Sequence, residues 1–439
     1  MGNQITVPEP HTLPAEARAA VLNEKPSLSA LIKLLQSGKA HKILVVCGAG
    51  ISVAAGIPDF RSPGSGLYSQ LKAQGLERPE AVFDIAQFAE DQGRAFYTVA
   101  EQLWPGEFHP TKAHYFLATL ARKGLLQRVY TQNIDTLEEL AGVPRDLLVE
   151  AHGSFASASC VECARAYTPA WVAARAFHAS ESKPGIPRCQ ACRGLVKPDI
   201  TFFGERLPAR YHTMIERDVA AADLLLVMGT SLAVQPVAHI PQQVGVFVPR
   251  VLINKDMIGD APSGEMEGLD GEELFAKAAE LGMDLEEVGV PGGFRFLLED
   301  NYRDIFLPGE ADAVVQQLVD ELGWQDEFAQ ARAAGQAAAT ARRDELAALL
   351  CKEVELALSE AAAEAVAEAA EPGTAPSTAP QPMSTADLLA ALPDAPAQAV
   401  QAVELPAELD VCADAEALFE QALDGAAEVQ SAVLSQAHK

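Results

Sequence analysis

The sequence predicts an α/β fold: a parallel sheet wrapped by helices, interrupted by a small cysteine-bearing module and followed by an acidic, Ala/Glu-rich C-terminal tail. Three observations carry this. The short apolar runs "KILVVCGAG", "LLQRVYTQN", "ADLLLVMGTS" and "PRVLIN" end in Gly, Asn or a hydroxyl and are separated by helical patterns, the alternation that builds right-handed crossovers and a parallel sheet. Two Cys-x-x-Cys hooks, Cys160/Cys163 and Cys189/Cys192, stand 25 residues apart. From Gln325 onward the chain carries 20 Asp+Glu against 5 Lys+Arg, more than half of its net charge of -28.

With 439 residues, 49% of them apolar, the chain can form two or three domains with a sizeable core. The strong negative charge argues against a standing binder of phosphate backbones. No apolar run approaches the roughly 20 residues that span a bilayer. Glu9, Glu16 and prolines replace the basic and apolar regions of a secretory signal, so the expected compartment is reducing: the cytoplasm, with a nuclear fraction allowed. "MGNQIT" fits the N-myristoylation pattern through Gly2 and Thr6, and with no polybasic cluster behind it such a group would anchor weakly.

In a parallel sheet the ligand crevice lies at the carboxyl ends of the strands. The polar ends of the four runs should therefore converge: Gly48-Ala49-Gly50, Thr131-Gln132-Asn133, Gly229-Thr230-Ser231 and Asn254-Lys255-Asp256. Gly48 and Gly50 supply two glycines of a dinucleotide fingerprint, but Val53 occupies the third position and Gln70 stands where a closing acid belongs. "VMGTS" offers backbone N–H groups and hydroxyls to phosphate oxygens, and "INKD" can reach a ribose. A Rossmann-like site for a dinucleotide, with its phosphates between two glycine turns, fits this set.

The two cysteine hooks in a reducing compartment read as a zinc site, and four thiolates leave no open position, so the metal is structural. His152, in "EAHGSF" directly before the first hook, lies where the two parts of the chain meet, and a histidine near neutrality can take a proton from a ribose hydroxyl. Cys47, Cys351 and Cys412 carry no mark of reactivity. In the tail, the Ala/Glu stretch favours marginal helix, and "EPGTAPSTAPQPMSTA" is too polar and proline-rich to bury much.

"GAGISVAAGIPDFRSPGSGLY", "YTQNIDTLEELAG", "EAHGSF", the two hooks, "LVKPDITFFGERLP", "DLLLVMGTSLAVQP" and "LINKD" follow one another as in the sirtuins. The stretch from 27 to 325 resembles this family of NAD-dependent protein-lysine deacylases, and among them the class I eukaryotic cytosolic and mitochondrial deacetylases. The resemblance implies a catalytic domain at 27–325 between an N-terminal tail (1–26) and an acidic tail (326–439). Its Rossmann-like part would comprise 27–151 and 200–325, its zinc module about 152–199, with an insertion at about 259–298 that could form an extra helix.

It also implies roles. NAD would be the co-substrate: the acyl-lysine carbonyl attacks the nicotinamide ribose, nicotinamide leaves, and the acyl group passes to ADP-ribose. His152 would be the general base and Asn133 the residue that orients the ribose. Gln132, Ile134 and Asp135 would line the nicotinamide pocket, Asp135 meeting the carboxamide. Asp59, Phe60 and Arg61 would form the cofactor loop. Gly48, Ala49, Gly50, Ser52 and Val53 would cradle the diphosphate opposite Gly229, Thr230 and Ser231. Asn254, Lys255, Asp256 and Ala311 would hold the adenosine half. The substrate peptide, from histones or other proteins, would enter as a strand against Phe202, Gly204, Glu205 and Val234, and the apolar surroundings favour acetyl or fatty acyl groups over dicarboxylic ones. A protein mono-ADP-ribosyltransferase and a non-catalytic NAD-binding scaffold are the alternative readings.

Overall fold

Five consecutive apolar residues can all be buried only in a strand covered on both faces, and that is the fate of β1 (Ile43–Cys47). Its side chains alternate: Ile43, Val45 and Cys47 enter one core, Leu44 and Val46 the other. The computed structural model describes residues 13–105, 108–178, 184–259 and 293–369. Gly2 with its acylation pattern, nearly all of the 259–298 insertion and the tail beyond 369 lie outside the described residues.

All four expected strands form: β1, β2 (Leu126–Thr131), β7 (Leu224–Met228) and β8 (Arg250–Asn254). Two further strands, β3 (Leu148–Glu150) and β9 (Asp304–Pro308), complete a six-stranded sheet of order β3-β2-β1-β7-β8-β9 in which every pair is parallel. β3 spans three residues and β9 opens on an acid, so neither has the apolar run that marked the others. That acid, Asp304, is fully buried and pairs with equally buried Arg250 at 2.6 Å. Helices Leu28–Gln36, Lys112–Arg122 and Ala311–Leu322 cover one face, and Ala209–Ala221 and Ile240–Gln243 the other.

The chain order reverses direction between β1 and β7, so the loops leaving these strands part to either side and open a crevice there. The segment between β3 and β7 holds a second, antiparallel sheet, β5-β4-β6, made from β4 (Gly153–Cys160), β5 (Ala166–Tyr167) and β6 (Val196–Ile200). Its core is not confined to the expected 152–199 module. Leu67, Leu71, Phe83, Phe88, Phe96, Tyr97 and their neighbours up to Leu103, placed by the sequence boundary with the large sheet, pack instead against Phe155, Trp171, Phe177 and Phe202. Linear order could not show this, because these helices contact strands some 60 to 100 residues later.

The expected marginal helices of the tail begin as one helix, Gln325–Ala369. Phe328 and Ala331 enter the core beside the large sheet, and Gly335 packs so closely that a Cβ there would lie 2.7 Å from the Ala141 carbonyl oxygen. Further along, Leu350 packs on the small domain's core. Arg175 of the small domain lies on the Trp171 ring and reaches Glu353 at 3.4 Å and Glu360 at 2.7 Å. The helix is thus docked on both parts of the body. No helix among the described residues is long and apolar enough to cross a membrane.

Candidate active site and metal centre

After β1 the sequence suggests the helix of a dinucleotide fold, but the chain makes two short 3-10 turns, Ala49–Ile51 and Val53–Ala55. The reason is a close crossing. Gly50 N–H donates to the Gly229 carbonyl at 2.7 Å, and a Cβ on Gly50 would lie 2.6 Å from the Gly229 Cα. Gly229 itself adopts a φ of +56°, which a side chain disfavours. Only two glycines allow the loops from neighbouring strands to interlock, and the interlock forms the floor of the crevice.

The crevice is a cleft of about 740 Å³. It gathers Gly48, Ala49, Gly50, Val53, Asp59, Phe60, Arg61, Gln132, Asn133, Ile134, His152, Gly229, Thr230 and Ser231, together with Asn254, Lys255, Asp256 and Ala311. Phe202, Gly204, Glu205 and Val234 line its other wall. Two expected residues stand behind it. Ser52 and Asp135 do not line the cleft; Ser52 Oγ donates to an Asp135 carboxylate oxygen at 2.6 Å and accepts from Asn133 Nδ2 at 3.2 Å. They hold the Asn133 side chain from behind.

His152 sits where the two domains meet. Its Nδ1 lies 3.0 Å from the Gln132 carbonyl oxygen; a carbonyl can only accept, so Nδ1 carries the proton and Nε2 presents a lone pair. That Nε2 is buried without a partner among the described residues. Burial holds its pKa below the usual histidine value, with the Gln132 carbonyl opposing and Arg61 assisting. The ring is therefore neutral at pH 7 and has one unmet acceptor, the arrangement a general base requires.

Asp59 turns out to shape its loop: one carboxylate oxygen accepts from Arg61 N–H at 2.9 Å and Ser62 N–H at 2.6 Å. The loop closes on the helix Leu67–Ala73, with Leu67 N–H donating to Asp59 O. The Phe60 ring packs on Tyr68 and Phe83, and Phe83 in turn on Phe202. Glu205 is likewise occupied, accepting from Phe202 N–H at 2.7 Å and from Lys197 Nζ at 3.1 Å. It braces the Phe202 turn more than it offers a free charge. Lys255 pairs with Glu310 at 2.8 Å on the cleft rim. Sequence reading missed Tyr68, Phe83, Leu207 and Glu310 as lining residues; the first three stand at no strand end, which was the signal used, and Glu310 follows β9, a strand that no apolar run marked.

The four hook cysteines are brought together, with all Sγ atoms within 4.8 Å of one another. Cys160–Cys192 and Cys163–Cys189 Sγ separations are 3.5 and 3.6 Å, far beyond a disulfide bond of about 2.05 Å. Tetrahedral zinc with Zn–S near 2.3 Å separates its sulfurs by roughly 3.8 Å, so the set fits a structural zinc after a slight expansion. Cys47 is buried and Cys351 half-buried, and Cys412 lies outside the described residues.

Residues 48–236 match the Sir2 family. The NAD-dependent deacetylase sir2A of Dictyostelium discoideum is 41% identical over 332 residues, covering 75% of this chain but 58% of that protein, so the chain spans little more than half the length of that relative. The NAD-dependent protein deacetylase sirtuin-2 of Danio rerio is 42% identical over 304 residues, 69% of this chain and 73% of that protein. The NAD-dependent protein deacetylase hst2 of Schizosaccharomyces pombe is 41% identical over 301 residues, 69% of this chain and 78% of that protein. With the glycine interlock, the buried acceptor of His152 and the four-thiolate cluster in one frame, these likenesses place the chain in the Sir2 family.

Proposed function

We propose that the protein is an NAD-dependent protein-lysine deacylase in which His152 is the general base. The observation that carries this reading is the fixed tautomer of His152: Nδ1–H on a backbone carbonyl and an unpartnered Nε2 at the junction of the glycine-turn cleft and the Phe202–Glu205 edge. That Nε2 takes the proton of a ribose hydroxyl of the co-substrate; as nicotinamide leaves, the lysine's acyl carbonyl oxygen bonds to the ribose carbon it vacates, the acyl group passes to the hydroxyl oxygen, and water completes the release of the free amine. Asn133, held from behind by Ser52, orients the ribose. The backbone around Gly48–Gly50 and Gly229–Ser231 takes the diphosphate, and Asn254, Lys255, Asp256 and Ala311 the adenosine half.

The peptide lies as a strand between Phe202–Glu205 and Leu232–Pro236, paired by main-chain hydrogen bonds that read little sequence. Phe202 forms the lysine tunnel wall, and its aromatic neighbours favour acetyl or fatty acyl chains over acids. The four hook cysteines hold a structural zinc, which keeps β4 and β6 in place and takes no part in the chemistry.

The test incubates the protein with NAD and an acetyl-lysine peptide and follows nicotinamide, deacetylated peptide and O-acetyl-ADP-ribose by mass spectrometry. All three products in equal amounts are expected. Nicotinamide release with ADP-ribosylated protein in place of deacetylated peptide would overturn the reading in favour of mono-ADP-ribosyl transfer, and no turnover at all would leave a binding scaffold.

A further inference from the structure

Behind the cleft floor lies a closed polar compartment that the proposed chemistry does not use. A ring nitrogen of His114, on helix Lys112–Arg122, and one carboxylate oxygen each of Asp135 and Glu138 lie within 4.8 Å of one another. His114 is 0%, Glu138 1% and Asp135 9% exposed. Two carboxylates this close and this dry, with no Lys or Arg acting on them among the described residues, do not both carry charge near neutral pH.

The hydrogen bonds decide which one is neutral. Asp135 accepts two donors from other residues, Ser52 Oγ at 2.6 Å and Leu137 N at 3.0 Å. Glu138 has one good donor, Thr131 Oγ1 at 2.5 Å, beside the weak thiol of Cys47 at 3.6 Å. The better-solvated anion is therefore Asp135.

His114 agrees with this. Its Nδ1 accepts from Thr111 N–H at 3.1 Å and lies 2.8 Å from Thr111 Oγ1; a backbone N–H can only donate, so Nδ1 carries a lone pair, and the hydroxyl, which is also 2.8 Å from the Ile51 carbonyl, can donate to it. The proton of the neutral ring is thus on Nε2, a buried donor with no partner among the described residues. A metal would need the Nε2 lone pair, which would turn an Nδ1–H against the Thr111 N–H. The compartment is built for a proton, and a single water can join Nε2–H to the carboxylates.

We propose that Glu138 is a positioning residue of the reaction: a neutral carboxylic acid that, with the Nε2–H of His114, leaves Asp135 as the single, unrepelled anion behind the cleft and so keeps the Asp135–Ser52–Asn133 chain of hydrogen bonds in place. Asp135 stands behind the cleft, and its link through Ser52 to Asn133, which lines the cleft, carries its position to the ribose-orienting side chain. Among the described residues the titratable groups facing Glu138 are Asp135, Glu150 on β3, Cys47 on β1 and His114. Burial first and the Asp135 charge second push Glu138 up to about 8. Burial drives His114 down to about 3 and raises the Cys47 thiol, so both stay neutral. The proposal rests on the deacylase reading for the role of Asn133, but the state of Glu138 can be observed without turnover.

The experiment uses the full chain in two arms. The first is difference infrared spectroscopy of wild type against Glu138→Gln at about pH 7. A protonated-carboxyl C=O band that the substitution removes is expected; a wild type without that band overturns the proposal. The second measures apparent NAD affinity in deacylation from about pH 6 to about pH 9, because a group that ionises near pH 8 changes occupancy across that window. Wild type should lose about tenfold in NAD affinity as pH rises through about 8, because a second anion then repels Asp135 and disturbs Asn133. Glu138→Ala should be weakened at every pH, and Glu138→Gln should recover the affinity near pH 7 and show no alkaline fall. An alkaline fall that persists unchanged in Glu138→Gln sinks the idea. If wild type releases no nicotinamide from NAD, the deacylase reading fails with its ribose-orienting role for Asn133, while the infrared arm still reports whether Glu138 is the neutral member of the pair.

Discussion

The large sheet and the small domain bury their apolar side chains by opposite means. In the sheet, β1 and β7 pair directly and are five-residue apolar runs, buried throughout and alternating between two cores. In the small domain the strands are mixed, "GSFASASC" and "VKPDI", and the core is an aromatic cluster assembled from helices before the module and strands within it. The first architecture is announced by each strand's own residues and the second is not. The difference teaches where each can be broken: the sheet through its backbone crossings, the small domain through the cross-links that hold distant segments together.

The largest effect should come from metal. Chelating zinc frees four thiolates that no longer hold β4 and β6 in register, so the small domain should open and deacylation fall to background; the large sheet should keep its secondary structure by circular dichroism. An active metal-free enzyme would contradict a structural site. Next is His152→Ala, which should cost about 10²–10⁴-fold in kcat/KM and leave melting temperature and NAD binding near those of the wild type. Wild-type activity in that variant would remove His152 from its role.

Gly50→Ala tests the sheet's crossing. Its methyl meets the Gly229 backbone at 2.6 Å, and overpacking of this kind costs about 1–3 kcal/mol. NAD affinity should fall more than peptide affinity, because the displaced loop faces the diphosphate; equal losses would argue against that placement. The pH profile of kcat/KM should show an acid limb below the ordinary histidine value, because burial lowers the His152 pKa and activity disappears only as pH falls through that depressed value. In His152→Ala the residual rate should lose this limb. The smallest effect belongs to Arg175→Ala. Its ion pairs to Glu353 and Glu360 are partly solvated, so about 0.2–1 kcal/mol is expected, seen as a slightly lower melting temperature that high salt reproduces in the wild type.

Much of the site was legible because strand ends in a parallel sheet must converge. Gly48–Gly50, Gln132 with Asn133, Gly229–Ser231 and Asn254–Asp256 all line one cleft, whereas Thr131, expected among them, turns its hydroxyl to Glu138 behind it; the hook cysteines meet as their spacing requires. Asp59 and Glu205 were legible as positions but not as partners. Their carboxylates are taken up by backbone N–H groups two or three residues away, a matter of turn geometry that residue type does not announce.

The sequence by itself determined the parallel sheet, the crevice and the metal ligands, because each follows from local pattern: apolar periodicity, glycine at a strand end, paired thiols. Tertiary structure alone decided which tautomer His152 holds, which helices belong to the small domain, that the acidic tail begins as a docked helix, and that His114 and Glu138 share a closed compartment with Asp135. These depend on which atoms lie within about 3 Å of one another after folding, a distance that hydrogen bonds require and that no spacing along the chain encodes.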